Sequence, residues 1–158
     1  SVTLSYEEGF EAPEPELPAE LDWGVVESGE AYYRITERDG VTNVAYENVP
    51  NTLWANLYAN VPSGTAATVE LQLRNNGENT VTYRLDCGST EGEVGTIEPG
   101  ETKTVKAVPN GAYNVINFFV DGGVAGNALE TYSGNLDILS VTFSSESSGS
   151  GLSWPCCP

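Results

Sequence analysis

Between Thr52 and Val61 the chain reads TLWANLYANV, in which Leu53, Ala55, Leu57, Ala59 and Val61 alternate with Trp54, Asn56, Tyr58 and Asn60. Successive side chains of a strand point to opposite faces, so the first set predicts a core face and the second an outward face of rings and amides. A flat ring can stack on the C–H face of a pyranose, and carboxamides supply both donors and acceptors for its hydroxyls. The competing reading of Trp54 is a plug closing one end of a sandwich. The same alternation turns Gln72 and Arg74 away from Val69, Leu71 and Leu73, turns Arg84 away from Val81, Tyr83 and Leu85, and turns Asn117 away from Ile116, Phe118 and Val120. A guanidinium fork can donate paired hydrogen bonds to adjacent hydroxyls. The plainer role for both arginines is cross-strand pairing with Glu70 and Asp86, worth a few tenths of a kcal/mol each. With the register so drawn, one sheet face collects some of Trp54, Tyr58, Gln72, Arg74, Arg84 and Asn117. A slip of one residue would send half of them inside.

Composition limits the partners. Six basic residues against 23 acidic ones give a formal charge of −17 over 158 residues. That field repels nucleic acid, anionic membranes and anionic polysaccharides, and suits a neutral ligand or a cation such as calcium. The chain has no His and no Met, which removes a His general base, a typical zinc site and thioether ligation. Of three cysteines, Cys87 falls at an inward position, expected to be a small buried hydrophobe, and Cys156 and Cys157 adjoin in the tail. The five glutamates and three prolines from Glu7 to Pro18 favour an extended, solvated arm; its alternative role is to supply Glu7, Glu8 or Glu11 as oxygen ligands to calcium.

The elements that must hold these groups are β-strands. Gly 17, Pro 9 and the absence of a 3.6-residue apolar stripe argue against helices. Asp39-Gly40 between Ala31–Glu37 and Val41–Glu47 predicts a hairpin, and a second hairpin is expected with Asn75, Asn76 and Gly77 at its tip. Pro62, Ser63 and Gly64 read as a turn, and Thr102–Val108, which holds both lysines, reads as an edge strand. The expectation is an all-β, two-sheet antiparallel sandwich of eight to ten strands. Its core would hold Leu53, Leu57, Val69, Leu71, Leu73, Val81, Leu85, Ile116, Phe118 and Phe143.

The strand ending FFVDGG, a Gly-rich loop and the closing run SGNLDILSVTF resemble the C-terminal signature of the jelly-roll, galactose-binding-like carbohydrate-binding modules attached to secreted glycoside hydrolases. The resemblance covers roughly residues 30 to 144 and does not specify the sugar. It implies a non-catalytic module that holds a linked hydrolase, or a cell surface, at a neutral plant-type polysaccharide such as a β-glucan or hemicellulose. The opening GFE…W is similar to calcium-containing relatives. That likeness implies a structural calcium between the arm and the closing strand, with Asp137 as the best ligand and Glu11 the next. Three segments are expected: an acidic arm over 1–28, the module over 29–144, and a Ser/Gly linker with a cysteine tail over 145–158. The protein is expected to be secreted, as a monomeric part of a modular enzyme, with Ser1 opening either a mature product or an excised piece. Two alternatives stand beside this one. A jelly-roll glycan-cleaving enzyme would need two carboxylates about 5 to 10 Å apart, and a structural or adhesive sandwich would bind another protein.

Overall fold

The computed structural model describes residues 20–87, 90–124, 126 and 128–144, with only the backbone described at 90 and 91. Ten strands follow in order: β1 (Gly24–Val25), β2 (Tyr33–Arg38), β3 (Val41–Pro50), β4 (Leu57–Thr65), β5 (Thr68–Asn75), β6 (Val81–Cys87), β7 (Thr90–Ile97), β8 (Thr102–Ala107), β9 (Tyr113–Val120) and β10 (Thr131–Ser144). The one helical element among the described residues is a single 3-10 turn, Glu27–Gly29. The strands form two five-stranded antiparallel sheets, β1-β4-β9-β6-β7 and β2-β3-β10-β5-β8. Their inner faces bury Leu57, Ile116, Phe118 and Leu85 from the first sheet against Val44, Leu71, Leu73, Leu136 and Ile138 from the second. This is the expected sandwich. Eight of the ten expected core residues are fully buried, while Leu53 and Phe143 pack against the core partly exposed.

The Asp39-Gly40 hairpin forms as the sequence predicts: both residues have positive φ, 55° and 82°, the pair that matches the twist of the flanking strands. The second expected hairpin does not form. β5 lies in one sheet and β6 in the other, so their apolar residues meet across the core and not along a ladder. Asn75 makes this arch. Its fully buried amide donates to the carbonyls of Asn79 (2.8 Å) and Ile97 (2.9 Å) and accepts from the N–H of Gly77 (2.9 Å), which satisfies a bend that no ladder could.

Two further boundaries differ from expectation. The assigned strand in TLWANLYANV begins at Leu57, and Pro62, Ser63 and Gly64 lie inside β4 as an irregularity between Asn60 and Thr65. Leu21 and Trp23, drawn from the expected arm, are buried in the core, with the Trp23 ring 6.3 Å from that of Phe118, and β1 pairs with β4.

Candidate ligand-binding face

The outer face of the β1-β4-β9-β6-β7 sheet is built from the alternate residues of β4, β9 and β6. Register places Tyr58 opposite Asn117, and Asn117 opposite Asp86 on its other side; one step along, Phe119 lies opposite Arg84. Asn56 precedes β4 directly and keeps its alternation. Rings and amides therefore occupy opposite corners of a small lattice, Tyr58 and Phe119 on one diagonal, Asn56 and Asn117 on the other.

Trp54 extends the lattice. Its ring meets Phe119 edge to face at 5.9 Å and remains 59 % exposed, so it is a platform at the surface and not a plug in the core. It sits against the backbone of Gly123, where an added Cβ would lie 3.2 Å from the indole. Tyr58 is spread over the sheet edge in the same way: a Cβ on Gly24 would lie 3.0 Å from the phenol ring, so β1 passes beneath the ring only because it carries glycine there.

Arg84 is held on this face from two sides. The Asp86 carboxylate accepts from its Nε at 3.1 Å and its Nη2 at 2.9 Å, and the guanidinium carbon stands 5.1 Å from the centre of the Phe119 ring. Asp86 is nearly buried and also accepts the N–H of Gly92 at 3.0 Å, which ties the pair to β7. The pair leaves this patch close to neutral within a strongly acidic protein.

Of the six residues expected on one face, four lie together: Trp54, Tyr58, Arg84 and Asn117. Gln72 and Arg74 do not. They sit on the outer face of the other sheet, because the β5–β6 connection crosses the sandwich where a hairpin would have kept Arg74 and Arg84 on one face. The cross-strand pairing of the two arginines with Glu70 and Asp86 does not form: Arg84 pairs with Asp86 on its own strand, and Arg74 pairs with Asp137 of β10 at 3.2 Å. The face also holds three residues beyond the six expected: Asn56, which alternation already turns outward, Phe119 and Asp86. The signal for Phe119 was in the sequence, since a phenylalanine at the outward position of an alternating strand has no core to fill.

The expected calcium ligands fare differently. Glu11 lies outside the described residues. At Asp137, Oδ1 accepts from Asn43 at 2.9 Å and Oδ2 from Arg74 at 3.2 Å. Burial alone would raise this carboxyl, but the hydrogen bonds from Asn43, Asn76 and Arg74 and the charge of Arg74 outweigh it and hold it below the usual carboxylate range. A guanidinium is thus already the cation at this carboxylate, and no group of three or more His, Cys, Asp or Glu gathers as metal ligands among the described residues. Within the described residues Asp137 is held by Asn43 and Arg74, and the calcium expected between it and Glu11 remains a proposal for the arm to complete.

Solved structures with this architecture include PfGH50B, at TM-score 0.56 and 12 % identity over 83 % of this chain and 24 % of that one. They also include a mutant of CBM29-2, a family 29 carbohydrate-binding module, at 0.49 and 15 % over 84 % and 88 %, and a structure described as "CBM4 structure and function", at 0.43 and 14 % over 77 % and 85 %. The likeness to PfGH50B is one of fold. This chain spans about a quarter of the length of PfGH50B. No protein-family model matches the sequence, and no curated protein matches it.

Proposed function

We propose that this chain is a non-catalytic carbohydrate-binding module and that its ligand lies on the outer face of the β1-β4-β9-β6-β7 sheet. The observation that carries the proposal is the lattice itself: an indole, a phenyl and a phenol ring interleaved with two carboxamides and a clamped guanidinium, on a surface facing solvent. These rings lie outside the core between the sheets, and they offer stacking surface to a pyranose while the amides meet its hydroxyls. The near neutrality of the Arg84–Asp86 pair and the overall charge of −17 favour a neutral glycan, a β-glucan or hemicellulose chain. Each stack or solvent-competed hydrogen bond contributes about 1 kcal/mol, so binding is expected to be micromolar to millimolar.

The enzymatic alternative needs an acid able to protonate a leaving group. Among the carboxyls described, Asp121 is raised by burial, but it is 1 % exposed and bonded inside the sandwich, where no sugar reaches it. Asp86 is committed to Arg84 and Gly92. A binding module attached to a secreted glycoside hydrolase would concentrate the linked catalytic domain on its polymer without chemistry of its own.

The test is affinity electrophoresis of the wild type and Trp54→Ala through gels containing soluble glucan, xyloglucan, xylan or mannan. Retardation of the wild type by at least one polymer, much reduced in the variant, is the expected result. If no polymer retards the wild type, the sugar proposal fails; if the variant is retarded equally, the ligand lies on another surface.

A further inference from the structure

The two amides of the lattice are not independent. Asn56 Nδ2 donates to Asn117 Oδ1 at 2.7 Å and to the backbone carbonyl of Leu57 at 3.2 Å. A backbone carbonyl can only accept, so it fixes the Asn56 amide with nitrogen towards Leu57 and Asn117; the reversed amide would set oxygen against oxygen. With Asn56 so oriented, Asn117 must present its oxygen inward. Two atoms are then left over, the Asn56 Oδ1 and the Asn117 Nδ2, and among the described residues neither has a protein partner. Both belong to half-buried side chains on the outer face, flanked by the Tyr58 and Phe119 rings.

We infer that Asn56 and Asn117 form a fork of fixed polarity that reads a pair of free sugar hydroxyls, one donating to Asn56 Oδ1 and the other accepting from Asn117 Nδ2. A hydroxyl can serve either role by turning its proton, so an unsubstituted sugar satisfies both arms. A group that only accepts, such as a methyl ether, a sulfate or a carboxylate, satisfies the Asn117 arm alone. It leaves Asn56 Oδ1 desolvated without a donor, and an unmet buried acceptor costs more than a hydrogen bond gains. The fork therefore selects glycans with free, uncharged hydroxyl pairs where the chain crosses the rings. Asn56 becomes a specificity residue, fixed by Leu57 and fixing Asn117 in turn. The inference rests on the sugar-binding proposal above and adds to it which atoms do the reading.

Asn117→Asp separates the two claims. The aspartate keeps the inward oxygen that accepts from Asn56, but its outward atom changes from donor to acceptor; because Asp86 lies opposite, thermal melting and circular dichroism of the variant are compared with the wild type before binding is read. Asn60→Asp, on the same face and strand as Asn56 but outside the fork, adds the same charge without that change. Binding of cellohexaose, mannohexaose and xylohexaose is measured by isothermal titration for the wild type, both variants and Trp54→Ala. A fully O-methylated cello-oligosaccharide is offered to the wild type as competitor. For the best hexaose, the expected result is a loss of at least about tenfold in affinity for Asn117→Asp, a change of less than about threefold for Asn60→Asp, and no competition by the methylated chain. Equal losses in the two Asp variants, or competition by the methylated chain, would overturn the fork while leaving sugar binding intact. If the wild type binds none of the hexaoses, the fork falls together with the face that carries it.

Discussion

Asp121 is the residue on which the two sheets are pinned together. It closes β9 in the left-handed region, with φ 57°, and its carboxylate accepts from the Tyr46 hydroxyl at 2.5 Å and from the Thr82 N–H at 2.9 Å, while Tyr33 donates its hydroxyl to the carbonyl of Val120 at 2.6 Å. Burial raises the carboxyl above its ordinary value near 3.8, more than the bonds from Tyr46 and Thr82 lower it. The folded state then holds a proton that the unfolded chain has already released. Its contribution to stability is full below that ordinary value and is lost as pH rises through the folded value. Asp137 has the opposite sign: its contribution is present above the ordinary value and lost as pH falls through the lowered one. Urea unfolding from pH 4 upward should therefore show wild-type stability declining relative to Asp121→Asn. The variant itself is expected to be weaker by about 1–3 kcal/mol, because an amide cannot accept from both Tyr46 and Thr82 with the same two atoms. Parallel pH profiles would count against this account. At Asp137, Arg74→Ala removes a half-exposed partner and should cost no more than about 0.5 kcal/mol. The proposed calcium between Asp137 and the arm is checked with a chelator: a clear drop in Tm is the expected result, and an unchanged Tm leaves Asp137 as the partner of Arg74 and Asn43 alone.

Among the elements, the β6–β7 pair has least room for change. Its register shifts between Leu85 and Asp86, and this draws Gly92 so close that an added Cβ would sit 2.0 Å from the Leu85 carbonyl oxygen and 2.8 Å from Ala107. No side-chain rotation relieves a clash with backbone. Gly92→Ala should cost about 3 kcal/mol and loosen the Asp86 clamp on Arg84, whereas Gly100→Ala, strained only by its φ of 81° in open space, should cost roughly 1 kcal/mol. Thermal melts of the two variants check the order. The strands themselves were legible in the sequence, because alternation states which residues of a strand go inside. It does not state which sheet the strand joins. Asn75-Asn76-Gly77 has the chemistry of a hairpin tip and of an arch alike, and the choice is made by distant bonds to Ile97 and by pairing of β5 with β8 and β10. Alternation alone therefore groups Arg74 and Gln72 with Arg84, and the crossing of the sandwich separates them. The pairing of Asn56 with Asn117, 61 residues apart, depends in the same way on a register that no local pattern contains.

Across the whole molecule, a net charge of −17 gives a repulsive field that salt screens over about 10 Å at 0.1 M. The lattice carries a closed ion pair and neutral groups, so affinity for a neutral oligosaccharide should vary by less than about twofold between roughly 20 and 500 mM NaCl, while the Tm rises as repulsion is screened. A steep salt dependence of binding would mean that charges outside the lattice hold the ligand. The topology also fixes an order of events. β9 is the middle strand of one sheet and β10 the middle strand of the other, and both come from the last third of the described chain. A nascent chain that has left the ribosome as far as β8 has every outer strand but neither centre, so it exposes strand edges on each half-sheet with nothing to seal them. The sandwich can close only when the final residues of β10 emerge. The interval between synthesis of β8 and release of β10 is when this fold is most exposed to mispairing.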